Sequence, residues 1–253
     1  MTTLAVIPAR LGATRLPRKP LRLLAGTPIV IRTWERVRTM SVAERCVIAT
    51  DSVEVAEAAR AAGAECVMTR EEHPSGTDRV AEVAALPEFA RYEVVVNVQG
   101  DEPFVSEQAV RGAAGMVTRH GFDLGTVAAR ADAAILATPH VVKVVCADDG
   151  RAMYFSRAPI PFLREQAEAG VQRALVRQHI GVYAYARAAL QRWVALPPHP
   201  LEQVERLEQL RPLAAGLAMG VALVESAPAS GIDTEDDLVR ANARWTDFIS
   251  GRS

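Results

Sequence analysis

Four short apolar runs mark the first hundred residues: LAVIPA (4–9), RCVIAT (45–50), ECVMT (65–69) and EVVVNVQ (93–99). They have the length and β-branched content of strands, and helix-like stretches separate them at βα spacing. That alternation implies parallel strands with helices on both faces. The clearest helix is DSVEVAEAARAAG (51–63), with Asp51 at the N-cap position, Glu54 three residues on, an alanine-rich body and Gly63 as the stop. From about residue 130 the rhythm changes: HVVKVVCADDGRAMYFSRAPIPFLRE (140–165) reads as two strands joined by a DDG turn, then a proline-punctuated loop. IGVYAYA (180–186) supplies a further strand, a helix follows from ARAAL, and LEQVERLEQLRPL (201–213) is amphipathic.

No repeat, low-complexity tract or Gly/Ser linker interrupts the 253 residues, so the reading is one domain, 1–253, with a lobe at roughly 130–212. Apolar residues make up 49%, ample for a sizeable core. The 29 basic and 30 acidic side chains nearly cancel. No global field then attracts nucleic acid or an anionic membrane, and any anion site is local. Cys46, Cys66 and Cys146 are widely spaced without a C-x-x-C pair and read as buried thiols of a reducing cytosol. The amino end lacks the basic and apolar regions of a signal peptide, and no apolar run is long enough to span a bilayer, so a cytoplasmic protein is expected.

Against that neutral background, VIPARLGATRLPRKPL (6–21) concentrates Arg10, Arg15, Arg18 and Lys19 in the loop after the first strand, with Gly12 allowing close backbone approach. Ligands of open parallel sheets collect at the carboxyl ends of strands, which makes the loop an anion site; it is neither a Walker A sequence nor G-x-G-x-x-G. HPSGTDR (73–79) follows the third strand and suits contact with a ribose or base, although a plain turn with Thr77 as N-cap explains it equally well. VVVNVQGDEPFV (94–105) ends a strand with Asn97, Gln99 and an acidic pair. Asp101, nearest the strand end, calls for a cationic partner, whereas Glu102 is available to cap the next helix. In SGIDTEDDL (230–238), Thr234 and Asp237 form a capping box, which leaves Asp233 as a second carboxylate. Two separated aspartates and a basic loop fit Mg2+ bound together with substrate phosphates. The five histidines show no metal-binding spacing, and no Ser-His-Asp arrangement or G-x-S-x-G elbow is present.

Taken in order, IPARLGATRLPRKPL, NVQGDEPFV, YFSRAPIPF, HIGVYAY, LEQLR and GIDTEDDL resemble the 3-deoxy-manno-octulosonate cytidylyltransferases, also called CMP-Kdo synthetases, over nearly the whole chain. The resemblance implies a Rossmann-like nucleotide-diphospho-sugar transferase fold with a mostly parallel mixed sheet and a smaller sugar-binding and dimerisation lobe. It also implies a homodimer that joins CTP to a 3-deoxy-ulosonic acid for lipopolysaccharide or a related surface polysaccharide. By similarity, Arg10, Arg15 and Lys19 hold the triphosphate, with Gly12 and Thr14 beside them, and Asp101 and Asp233 hold magnesium. Ser75, Gly76 and Gln99 resemble the cytosine and ribose contacts; Arg157, His179, Tyr183, Glu208 and Gln209 resemble sugar ligands.

Each sugar candidate also has a plainer reading, since LEQVERLEQL suits an exposed helix with paired charges and Tyr183 suits strand packing. Two positions depart from the family pattern: Arg18 replaces a usual Gly before Lys19, and Gln178 replaces a usual basic residue before His179. They leave open a related enzyme acting on an 8-amino analogue or a sialic acid. A nucleotide-binding regulator without catalysis is the remote alternative.

Overall fold

The computed structural model describes residues 1–12, 15–163, 174–227 and 231–251. The chain forms two compact units, Met1–Glu107 with Pro228–Ser253, and Gln108–Ala227.

In the first unit, strand β1 (Thr3–Ala9) is buried at every position, as a strand covered on both faces must be. A small hairpin, β2 (Leu23–Leu24) with β3 (Thr27–Pro28), precedes helix α1 (Ile29–Arg38). Then β4 (Arg45–Thr50), α2 (Val53–Ala61), β5 (Glu65–Met68), α3 (Gly76–Ala85) and β6 (Val94–Asn97) alternate as the pattern predicts. The strands are parallel in the order β6-β1-β4-β5.

The α2 cap differs from expectation. Ser52, not Asp51, caps the helix, accepting from the Val55 N–H at 3.3 Å, and Asp51 is drawn instead to Arg79, 2.6 Å away. Gly63 does stop the segment, at φ +75°. For α3, the N-cap is Ser75 and not Thr77: the Ser75 hydroxyl accepts from the Thr77 and Asp78 N–H groups, while Thr77 is buried inside the helix.

The second unit contains α4 (Glu107–Thr118, opening at the boundary), β7 (Leu124–Arg130), β8 (Lys143–Cys146) and β9 (Ala152–Ser156). β10 (Arg177–Ala186), α5 (Arg187–Ala195), α6 (Pro200–Glu205), α7 (Leu210–Ala214) and β11 (Met219–Val224) follow. β8 and β9 form the predicted hairpin, β10 is antiparallel to β7 and β8, and β11 is parallel to β7. The stretch 201–213 is two short helices, not one, because Arg206 takes left-handed torsions (φ 55°) and the chain turns to bury Leu207 and Leu210. The chain then returns to the first unit as α8 (Glu235–Ile249), which opens with the predicted capping box of Thr234 and Asp237.

All three cysteines are free, but each is partly rather than fully buried. No helix among the described residues is long and apolar enough to cross a membrane.

Candidate active site

Parallel strands point their carboxyl ends, and the loops that follow, in one direction. In the first unit those loops surround a cleft lined by Arg10, Gly12, Arg15, Lys19, Ser75, Gly76, Gln99, Asp101 and Asp233. These are all of the nucleotide and metal candidates except Thr14, which lies outside the described residues.

At the cleft's centre the Lys19 ammonium lies between two carboxylates, in contact with Asp101 and 2.9 Å from Asp233 Oδ1. Arg15 reaches Asp233 Oδ2 at 3.0 Å. Burial alone would lower the Lys19 pKa, but Asp101 and Asp233 outweigh it and the net shift is upward, so the lysine stays charged. Backbone bonds fix the geometry. The Ile232 N–H donates to the Asp101 carbonyl at 3.0 Å, and the Gly231 N–H donates to the Glu102 carboxylate, stitching the returning turn to the end of β6. A Cβ on Gly231 would stand 2.6 Å from Glu102 Oε1, so any larger residue would displace the Glu102 carboxylate.

Glu102 does not cap a helix, since α4 opens five residues later at Glu107. Burial first, then the charges of Asp101 and Asp233, push its pKa to about 8. It is a largely protonated neighbour of the pair.

Lys19 opens a 3-10 turn, Lys19–Leu21, whose cap residue Arg18 has φ 57° and ψ 30°. Arginine thus adopts the left-handed torsions that a glycine would take there, with its guanidinium held on Glu54, Nη1 to Oε1 at 3.2 Å. The next part of the loop docks on α8: Arg22 pairs with Glu235, and the Ala25 N–H donates to Asn242 at 2.8 Å.

Two ionisable cleft residues, His73 and Arg79, were not singled out from sequence. His73 has its Nε2 on Glu82, whose carboxylate also accepts the Arg70 N–H at 3.0 Å. Arg79 is buried, bound to Thr69 and Asp51. Both fall within HPSGTDR, and the clue was their place after a parallel strand.

The sugar candidates lie in the second unit. The His179 ring meets Phe155 edge-on (centroids 4.9 Å) and Tyr183 at 5.6 Å, with Nε2 2.9 Å from Thr126 Oγ1; burial drives its pKa down to about 3. Tyr183 is buried, and burial followed by the Glu208 charge raises its pKa. Gln209 is buried beside α7. Arg157 donates Nε to the Glu205 carbonyl (2.8 Å) and Nη1 to the Pro139 carbonyl (3.2 Å), which orients the guanidinium without neutralising it.

Among the described residues no group of three or more His, Cys, Asp or Glu side chains could hold a metal ion. The donor set of Asp101 and Asp233 nonetheless suits magnesium: two hard carboxylates already share one cationic group, and this ion takes few protein ligands beside substrate phosphates.

Cations, paired aspartates and a polar turn around one strand-end cleft define a site for a phosphorylated nucleotide on an α/β fold. A family model described as cytidylyltransferase matches residues 4–221, and the chain belongs to that family. The 3-deoxy-manno-octulosonate cytidylyltransferase of Gemmatimonas aurantiaca is 64% identical over 97% of this chain and 95% of its own. The protein of the same name from Polynucleobacter necessarius is 46% identical, covering 94% and 93%. The motif-based resemblance therefore holds. Among solved structures, CMP:2-keto-3-deoxy-manno-octonic acid synthetase complexed with CTP superposes with a TM-score of 0.89 at 36% identity, covering 98% and 99% of the two chains. A cytidylyltransferase from Leptospira borgpetersenii, at 14% identity and a TM-score of 0.63, covering 100% and 90%, shares the fold.

Proposed function

We propose that this enzyme transfers the cytidylyl group of CTP to the anomeric hydroxyl of 3-deoxy-manno-octulosonate, yielding CMP-Kdo and pyrophosphate. The carrying observation is the meeting of Lys19, Asp101 and Asp233 at one point of a strand-end cleft, from positions up to 214 residues apart. The high identity of two relatives named for this reaction, and a CTP complex of a third, support the choice of substrates.

In-line attack on the α-phosphorus sends negative charge out with pyrophosphate, and preorganised cations along that path lower the barrier most. Arg10, Arg15 and Lys19 hold the β- and γ-phosphates there. Lys19 exchanges its carboxylate partners for phosphate oxygens when the triphosphate enters. Magnesium held by Asp101 and Asp233 supplies further charge neutralisation of the triphosphate when bound. Ser75, Gly76 and Gln99 contact ribose and cytosine, and Arg157, His179, Tyr183, Glu208 and Gln209 contact the sugar acid. We further infer a cytoplasmic homodimer, on the resemblance to CMP-Kdo synthetases, whose product enters lipopolysaccharide or related surface polysaccharide synthesis; sedimentation at micromolar concentration tests the dimer.

The decisive experiment is pyrophosphate release with each of four nucleoside triphosphates crossed with Kdo, its 8-amino analogue, a sialic acid and several sugar phosphates, with and without magnesium. Release with CTP and Kdo, abolished by EDTA and restored by magnesium, is expected. Silence with CTP on every acidic sugar would overturn the reading, and a higher kcat/KM for the 8-amino analogue or sialic acid would reassign the sugar.

A further inference from the structure

Arg177 of β10 stands directly opposite Arg130 of β7 in the antiparallel register. Like charges at such a position repel across the ladder. Neither arginine has an acidic partner among the described residues, whereas Arg45, Arg79 and Arg211 each pair with a carboxylate. The Arg177 Nε–H is moreover buried with no hydrogen-bond partner, a state folded proteins rarely leave uncorrected. Its thiol neighbour, Cys146, is a weak acceptor that leaves the charge unbalanced.

Alternation along the strands places these groups. Arg177 and His179 share one face of β10, opposite Arg130 and Ala128 on β7. Gln178 lies on the other face, opposite Lys143, so a basic residue at 178 would point away from the His179 ring and one at 177 points with it. Arg157 already spends two donors on carbonyl oxygens, whereas Arg177 keeps one in reserve.

We propose that Arg130 and Arg177 form the subsite that binds the carboxylate of the acidic sugar in this chain. The inference rests on the reaction proposed above and assigns its acid-recognising contact. A planar carboxylate lying between the two guanidinium groups accepts from their terminal N–H donors and removes the repulsion of Arg177 by Arg130. The triphosphate has its own cations in the first unit, at Arg10, Arg15 and Lys19.

The test compares the parent with Arg130→Gln, Arg177→Gln and Arg177→Lys. Initial rates of pyrophosphate release are measured with Kdo varied at saturating CTP, with CTP varied at saturating Kdo, and with the neutral methyl ester of Kdo. Removing a charge-assisted contact raises the KM for Kdo about tenfold or more in both Gln variants. The KM for CTP stays within about twofold, and the preference for acid over ester shrinks by the same factor as the loss for Kdo. Arg177→Lys, which keeps charge but not the fork, falls between parent and Arg177→Gln. Thermal melts with and without Kdo give a readout independent of turnover: the parent's Kdo-induced rise is lost in the Gln variants. An unchanged KM for Kdo, an unchanged acid-to-ester ratio, or an equal melting rise in all proteins overturns the subsite. A parent inactive with CTP and Kdo sinks the proposed reaction instead. If such a parent also shows no melting rise with Kdo, the subsite falls too.

Discussion

In the proposed reaction Lys19 would serve two states of the cleft. With Asp101 and Asp233 around it, the ammonium is already partly desolvated and charged, so the proposed transfer to phosphate oxygens would ask little reorganisation of it. Lys19→Met should lower kcat by about a hundredfold or more, as loss of a preorganised donor does, with the melting temperature of the ligand-free protein little changed. A variant turning over at near the parent rate would remove the loop from the mechanism. His179 carries a different consequence. The residue as a whole is only partly buried, yet its ring is enclosed by Phe155, Tyr183 and Thr126, and burial lowers its pKa to about 3. As pH falls below about 6.5 the unfolded chain takes up this proton while the folded chain does not. Its contribution is therefore intact above about pH 6.5 and is lost progressively toward pH 3. Between pH 7 and 5 one such histidine removes about 2 kcal/mol of stability, a loss that urea titrations of His179→Gln should show largely abolished.

At the level of elements, Asp51 and Ser52 separate local from long-range demands. Both residue types cap helices well, and nothing within 51–63 decides between them. The decision comes from Arg79, whose side chain is 3% exposed and needs a counter-charge, and Asp51 is the carboxylate that reaches it. Ser52→Ala is therefore expected to lower stability by about 1 kcal/mol, as a lost cap does. Asp51→Ala, which strands a buried guanidinium, should lower it by about 3–5 kcal/mol, and chemical denaturation of the two variants checks the order. The same contrast explains what could be read from the chain alone. The capping box of Thr234 and Asp237, the β8–β9 hairpin and the strands of the first unit follow from neighbours within a few positions, so they were legible. The plainer reading of LEQVERLEQL as one exposed helix fails because Leu207 and Leu210 are both buried, and the chain turns at Arg206 to achieve it. Likewise the cationic loop and both aspartates could be named as candidates from their strand-end positions. That Lys19 would lie between those aspartates could not, since no local pattern encodes a contact across 214 residues.

That contact depends on how the whole chain is routed. The first unit is discontinuous: its sheet is complete by β6, but Asp233 and α8 arrive only after the entire second unit has been traversed. What holds the late segment in place is a cluster of Leu16, Leu24, Ile29, Phe104, Ile232, Leu238, Ala241 and Trp245, contributed by the cationic loop, β2, α1, the loop after β6, the turn before α8 and α8 itself. Trp245 is central, edge-on to Phe104 at 5.5 Å with the Arg32 guanidinium 5.1 Å from its ring. Because Leu16 and Leu24 flank Lys19 while Ile232 adjoins Asp233, this core also sets the spacing of the active groups. Trp245→Ala should therefore do two things at once: lower stability by about 3–5 kcal/mol through the cavity it leaves, and reduce kcat beyond any loss of folded protein by loosening Lys19 from Asp233. Turnover per folded molecule, from initial rates normalised to the native fraction at the same temperature, distinguishes the two effects. A destabilised variant with undiminished turnover per native molecule would mean that backbone bonds from Ile232 and Gly231 to residues 101 and 102 suffice to place the second aspartate.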